Sequence, residues 1–328
     1  MKIEEEIKAK LLRLLSDGAF ISSGTIANNL NITQDVILKK IISLQKQGYK
    51  IEYVKNKGYS LISNPDILIP EEITTDLDTD IIGKDVFYFK SISSTNIYAK
   101  QIADKGIKEG VVIVADIQTH GRGRKNRAWL SPFGGLWFSI VLRPKIHPER
   151  GMFVTMVASI AVVQAIKELT DLKPVIKWPN DILINGKKIC GILTEIDFKK
   201  NTINYAIVGV GINVNNKINN EIKKIASSIS IENGSVISRT KFLKYILKYF
   251  DENYKKLIID DFKTIKKLWS SYAKIIGKAV EIKDNGTTVS GIISDIDENG
   301  YLILRNKNNI HRIFNGEIIY LNDIILII

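Results

Sequence analysis

Apolar positions recur at helical spacing from the first turn of the chain. Ile3, Ile7, Leu11, Leu14 and Leu15 fall on one face, and Gly18 offers a stop. Ser22 or Ser23 can cap a short second helix carrying Ile26, Ala27 and Leu30. Thr33 opens a third with Val36, Ile37, Ile41 and Leu44, closed by Gly48. The next run, YKIEYVKNKGYSLI, holds two β-prone stretches around Asn56-Lys57-Gly58, where glycine supplies the positive φ that a hairpin turn requires. Three helices and a hairpin over residues 1–63 predict a winged helix-turn-helix. Residues 64–85 then become acidic, proline-containing and weakly periodic, the pattern of a connection.

Between residues 86 and 274 strand-like and helix-like runs alternate. VFYFK, VVIVADIQ and LWFSIVLRP read as strands, two more lie between Lys177 and Glu195, and another spans Tyr205 to Val214. Helices are expected from Thr95, from Met152 to Leu169, and between Arg239 and Lys274. This predicts a central α/β domain with a mixed sheet. Over residues 275–328 the pattern changes to short strands, KAVEIK, TVSGIISDI, YLILRN and HRIFNGEIIYL, with turns at Asn285-Gly286 and Asn299-Gly300, which predicts a small β-barrel. The fold class is α+β and multidomain.

The chain has 328 residues, 45% hydrophobic and 25% charged, and so buries sizeable cores; disordered and fibrous classes are excluded. A formal charge of +12 attracts polyanions, but lysine is spread along the whole chain, so charge alone does not single out DNA. Placement does more. Gln34, Asp35, Lys39, Lys40 and Gln45 give the third helix a polar face suited to a major groove, and Lys55 and Lys57 put the wing near phosphate. A helical scaffold with solvated lysines is the alternative reading. The single Cys190 excludes an internal disulfide framework and reads as a small buried hydrophobe, which fits a reducing cytoplasm. The acidic start MKIEEEIKAK lacks a signal peptide's apolar centre, and the terminal IIYLNDIILII is too short to cross a bilayer, so no membrane association is expected.

Three stretches carry candidate chemistry. In GRGRKNRAW, residues 121–129, Gly121 and Gly123 permit positive φ and close backbone approach. Arg122, Arg124 and Arg127 offer planar donor forks for carboxylate or phosphate, with Lys125 adding charge and Trp129 an aromatic wall. In KWPNDILINGKKICGILTE, turns at Pro179-Asn180-Asp181 and Asn185-Gly186 place Lys177 and Lys188 on neighbouring strands of one hairpin, with Asp181 able to join them. In VGVGINVN, Gly209 and Gly211 leave space beside a strand and Asn213 offers donors and acceptors. The histidines His120, His147 and His311 are scattered without ligand spacing, so no metal cluster is expected.

In this order, and with SSTN at residues 93–96, these stretches resemble bacterial biotin protein ligase over nearly the whole chain. The winged helix makes the chain similar to the bifunctional kind, ligase and biotin operon repressor. The resemblance implies a class II synthetase-like central domain and an SH3-like C-terminal barrel. It also implies a reaction in which biotin and ATP, with Mg²⁺, form biotinyl-5′-AMP. The biotinyl group then passes to a lysine of the biotin carboxyl carrier protein of acetyl-CoA carboxylase or another biotin-dependent carboxylase. It places Ser94, Thr95, Asn96 and Gln118 around biotin, Arg122, Gly123 and Arg124 in a loop closing over biotin and phosphate, and Gly209 and Gly211 beside the biotin rings. Lys188 corresponds to the lysine bridging carboxylate and α-phosphate, and Arg124 shares that catalytic charge. Trp129 is expected near adenine, Arg127 and Asn213 near the nucleotide, and Asp181 beside the acceptor lysine. The bifunctional kind further implies operator DNA as a partner, through Gln34, Lys39, Lys40, Lys55 and Lys57, and a homodimer when biotinyl-5′-AMP is bound. The family usually has glycine at the position of Asn126. Alternatives are an acyl-adenylate sensor without ligase activity, a ligase with a vestigial DNA-binding domain, and lipoate ligase.

Overall fold

The computed structural model describes residues 2–15, 19–46, 49–63, 66, 68–284, 286–307 and 309–321. Gly18, Gly48, Asn285 and the apolar run after Leu321 lie outside the described residues. The chain divides into two compact units, Met1–Asp76 and Leu77–Ile328.

The first unit contains α1 (Lys2–Leu15), α2 (Ser23–Leu30), α3 (Gln34–Lys46), the hairpin β1 (Lys50–Val54) and β2 (Gly58–Ser63), and a short α4 (Pro70–Thr74). Ser22 caps α2 by accepting from the Thr25 N–H, and Asn31 ends it in the left-handed region at φ 51°. Leu11, Leu15, Ile26, Ile37, Ile41 and Leu44 close one core. Val36 is exposed rather than buried with them, because the helical period that inserts Ile37, Ile41 and Leu44 carries Val36, Leu38 and Ile42 outward. The wing is joined to the helices by a bridge between Ile21 and Tyr59. Gly58 next to it has φ +102°, and a Cβ there would lie 2.0 Å from the Ile21 carbonyl oxygen, so this turn requires glycine. Within 64–85 the structure places short elements that give no long period: Leu68 and Ile73 are fully buried, and α4 lies against α1.

The second unit holds a seven-stranded sheet. Its strands are β3 (Val86–Phe89), β4 (Val112–Ala115), β5 (Leu136–Leu142), β6 (Val175–Lys177), β7 (Asp181–Ile184), β8 (Lys187–Lys199) and β9 (Thr202–Ile212). They lie in the order β3-β4-β5-β9-β8-β7-β6. β3 and β4 are parallel, joined through α5 (Thr95–Asp104), and the other pairs are antiparallel, so the sheet is mixed as expected. Side-chain alternation divides its faces. Tyr205 and Ile207 of β9 pack on α5 with Ile113 and Val141, and Gly209 and Gly211 continue this face. The opposite face is covered by α6 (Met152–Leu169), apolar all round because it is enclosed between the sheet and α8 (Arg239–Ile258). α7 (Ile229–Asn233) precedes α8, and α9 (Phe262–Ala273) packs beside α6. Asp251 of α8 accepts from the N–H groups of Ile81 at 2.8 Å, Ile82 at 2.9 Å and Asp80 at 3.1 Å, tying the segment before β3 to the helical layer.

Lys177 and Lys188 are not on neighbouring strands. Asp181–Ile184 forms a strand of its own between theirs, because both turns in that stretch are tight. The C-terminal part is one antiparallel sheet of β10 (Ala279–Asp284), β11 (Thr287–Ile296), β12 (Leu302–Asn306), β13 (Asn309–Ile313) and β14 (Glu317–Tyr320), ordered β13-β12-β11-β10-β14. HRIFNGEIIYL is therefore two strands rather than one. Gly316, at φ +142°, breaks the run and turns it to the other side of the sheet.

Candidate functional site

The cavity opens on the α5 face of the large sheet and holds about 1000 Å³. At one end, Ser94, Thr95 and Asn96 begin α5 and are buried. Gln118, just past β4, accepts from the Thr95 N–H at 2.8 Å and hydroxyl at 3.1 Å, and its own amide donates to Ser131 at 2.9 Å. Asn96 donates to Glu195 at 2.7 Å, while Ser139 Oγ lies 2.6 Å from its Oδ1. The result is a fully oriented polar rim for a small uncharged group with donors and acceptors. A Cβ on Gly209 would stand 2.0 Å from Asn96 Oδ1, so this glycine makes room for Asn96.

The basic loop crosses the cavity as a small hairpin of its own. Trp129 donates to the Gly121 carbonyl at 2.9 Å, and Gly123 to the Arg127 carbonyl at 2.7 Å. The positive φ values expected of Gly121 and Gly123 fall instead on Lys125 at 54° and Asn126 at 56°. Gly121 is needed for close approach, since a Cβ would lie 2.4 Å from the Trp129 carbonyl oxygen. Asparagine suits the left-handed region, whereas lysine there carries a strain of roughly 1 kcal/mol. The Trp129 ring lies over the backbone of Gly191 and Gly211 on adjacent strands, and a Cβ on Gly211 would come within 2.4 Å of its Nε1. That Nε1 is buried and unpartnered among the described residues.

Charge converges at the other end. Lys188 Nζ is 2.8 Å from Asp181 Oδ1 and 5.0 Å from the centre of the Trp129 ring. Arg124 donates to Asn180 at 3.1 Å and also to Asn315. Burial pulls the Arg124 guanidinium below its ordinary range against the opposing pull of Asp181, Asp284 and Glu317; it remains charged at neutral pH. Arg122 is exposed and lines the cavity, Lys177 lines it as well, and Asn213 is buried at its edge, accepting from Asn216 at 3.0 Å. Cys190 points to the opposite face of the sheet, fully buried, and burial pushes its thiol well above the usual range. The catalytic-domain residues that the resemblance assigns to biotin, nucleotide or acceptor lysine all line this cavity, whereas Cys190 does not. Reading by motif misses Asn180, Ser131, Ser139 and Glu195, whose roles come from pairing partners distant in sequence. Among the described residues no three His, Cys, Asp or Glu side chains group as a metal centre.

On the first unit, Lys39, Lys55 and Lys57 are exposed and Lys40 is half-buried. Gln34 accepts from Ser23 at 3.1 Å and Gln45 donates to Ile51 at 2.9 Å, so part of the expected polar face fixes neighbouring elements together.

Residues 8–60 match an HTH domain, residues 88–213 the Biotin/lipoate A/B protein ligase family, and residues 275–321 the Biotin protein ligase C terminal domain. Over 318 residues the chain is 39% identical to the Bifunctional ligase/repressor BirA of Bacillus subtilis, an alignment covering 95% of this chain and 98% of that one. The chain belongs to the bifunctional biotin ligase/repressor family. The Escherichia coli member is 26% identical, with 96% of this chain and 97% of the relative covered. In structure, a biotin protein ligase from Aquifex aeolicus in complex with biotin and ATP superposes with a TM-score of 0.62 at 31% identity, covering 73% of this chain and 99% of that one. Within the bifunctional family this chain keeps both parts, the helix-turn-helix and the ligase domain, and carries Asn126 in left-handed backbone.

Proposed function

We propose that the chain activates biotin with ATP and transfers it to a carrier lysine, and that it also represses biotin genes. The carrying observation is the convergence of Lys188, Arg124 and Trp129 on one cavity with the oriented rim of Thr95, Asn96 and Gln118. The rim, with Ser94, suits the ureido end of biotin, leaving its carboxylate toward Lys188. Carboxylate and triphosphate repel one another, and fixed cations allow the approach. The carboxylate oxygen attacks the α-phosphorus, the bond to the β-phosphate bridging oxygen breaks, and pyrophosphate leaves. Lys188 and Arg124, with Arg122 on the loop, neutralise the charge growing on the α-phosphate. Trp129 offers its ring to adenine, with Arg127 and Asn213 toward the rest of the nucleotide. Gly209 and Gly211 serve as a floor without side chains.

In the second step the acceptor amine must be neutral to attack the mixed anhydride. Asp181 can take its proton or orient it once Lys188 has turned to phosphate. Among the described residues Asp181 and Glu317 are the carboxylates lining the cavity, and each is paired with a cation. Magnesium would therefore be held mainly by phosphates and water, screening the polyphosphate. The acceptor is a biotin carboxyl carrier protein of acetyl-CoA carboxylase or a related carboxylase.

For repression, exposed Lys39 on α3 and Lys55 and Lys57 on the wing suit operator DNA, with Lys40 beside them. A homodimer is supported by β8: its pairing with β7 ends at Gly191 but its pairing with β9 runs to Lys199. An edge is left that no strand covers among the described residues. Mass spectrometry of the purified protein after exposure to biotin and ATP tests the reading. Retained biotinyl-5′-AMP and a labelled carrier lysine are expected, and the absence of both would overturn it.

A further inference from the structure

Three consecutive cations of the basic loop are each met by a polar side chain of the C-terminal sheet. Arg124 donates to Asn315, Lys125 Nζ lies 3.2 Å from Asp284 Oδ1, and Arg127 pairs with Glu317. Asn315 and Glu317 flank Gly316, whose φ of +142° and whose crowding, with a Cβ 2.6 Å from Ile282 Cγ2, admit no other residue without strain. Asp284 ends the strand opposite. The sheet thus presents three acceptors from two strand ends to a loop with two successive left-handed residues, Lys125 and Asn126. Among the described residues Arg122 and Arg124 have no acid within ion-pair distance; Arg124 is held by the amides of Asn180 and Asn315, whereas Arg122 lines the cavity with no side-chain partner.

We propose that the C-terminal sheet is a latch for the basic loop. Asn315, Asp284 and Glu317 act as positioning residues that hold Arg124, Lys125 and Arg127 across the cavity and set how long an acyl-adenylate stays enclosed. The residence-time part rests on the ligase reading above; the latch itself does not. An isolated exposed ion pair such as Arg127–Glu317 contributes little. Three contacts made together by one short loop act as a network and lower the entropy that closure over a ligand would otherwise cost. The acids also place the loop cations beside the phosphate path without neutralising Arg122. A polyphosphate then meets a loop that is already ordered and one cation that is uncommitted.

Amide hydrogen exchange at Gly123 and Trp129 tests the latch in the full-length, ligand-free protein, since those two N–H groups close the loop's own hairpin. Glu317→Arg should speed their exchange about fivefold, on the order expected when a modest ion-pair network turns repulsive. It should leave exchange in β9 unchanged. The charge swap Arg127→Glu with Glu317→Arg should return loop exchange to within about twofold of the parent. The Glu317→Arg protein should also release preformed biotinyl-5′-AMP about fivefold faster in a dilution experiment. Unchanged loop exchange in folded Glu317→Arg protein, or a swap that recovers nothing, would overturn the latch. Should Glu317→Arg not fold, Glu317→Gln gives the same readouts at smaller amplitude and the same criteria apply. A parent protein that forms no biotinyl-5′-AMP would count against the ligase reading alone, because the exchange data involve no ligand.

Discussion

Lys188 Nζ and Asp181 Oδ1 are 2.8 Å apart, a cation and an anion from adjacent strands that the proposed function gives to successive half-reactions. In the proposed reaction, charge developing on the α-phosphate would draw Lys188 from Asp181 and leave that carboxylate open to the acceptor amine. Lys188→Ala is expected to slow adenylate formation by about 10²–10³-fold, the usual cost of a lost preorganised donor. Asp181→Asn should spare that step and slow transfer by about 10²-fold. Pyrophosphate release and carrier labelling, measured separately, distinguish the two; equal loss of both steps in both variants would refute the division of labour.

Gly211→Ala places a methyl 2.4 Å from Trp129 Nε1, whereas Gly191→Ala places one 3.0 Å from its Cζ3. Overpacking of this kind costs about 1–3 kcal/mol, and the indole is the part able to move. Tryptophan emission should shift and ATP binding weaken in Gly211→Ala, with a smaller effect in Gly191→Ala. Calorimetric titration with ATP in each variant gives the ranking.

Asp251 offers a pH test of the fold. Burial pushes its carboxyl up, but the N–H groups of Ile82, Asp80 and Ile81 and the ammonium of Lys255 outweigh this and hold it below the usual range. A depressed folded-state value contributes stability that is fully present above the unfolded value, about pH 4, and is lost as pH falls from there through the lower folded-state value. Asp251→Asn should cost about 2 kcal/mol at neutral pH and make the acid limb shallower. Urea unfolding across that range would show parallel acid limbs in the two proteins if Asp251 had no such role.

The wing lysines should act on DNA through phosphate. Lys55→Ala and Lys57→Ala are each expected to weaken operator and random DNA alike and to reduce the salt slope of binding by about 1. Anisotropy titrations at several salt concentrations measure this; a selective loss on the operator alone would place these residues at base edges instead.

Much of this site is legible in the chain because its geometry follows short periods. Gly209 and Gly211 are two residues apart, so a strand sends both to one face with Asn213 just past its end, and the run of cations after an apolar strand lies at a strand end. Other features depend on tertiary pairing and leave no local mark. Gly121 is glycine because a carbonyl approaches it, and the left-handed backbone moves to Lys125 and Asn126, where Asp284, distant in sequence, pairs with Lys125. Asn315 and Glu317 look like ordinary turn residues until the sheet brings them against the loop. The strand between those of Lys177 and Lys188 leaves no local mark because four residues between two tight turns carry no periodicity of their own.

Cys190, the lone cysteine, follows Lys188 by two residues and is shut beneath the sheet in a form that burial keeps protonated. An alkylating reagent can reach it only when the strand beneath the reactive lysine comes away from the helical layer. The protein therefore carries its own timer for breathing of the catalytic strand: the rate of thiol capture, with and without biotin and ATP, reports how firmly a filled cavity closes the sheet behind it.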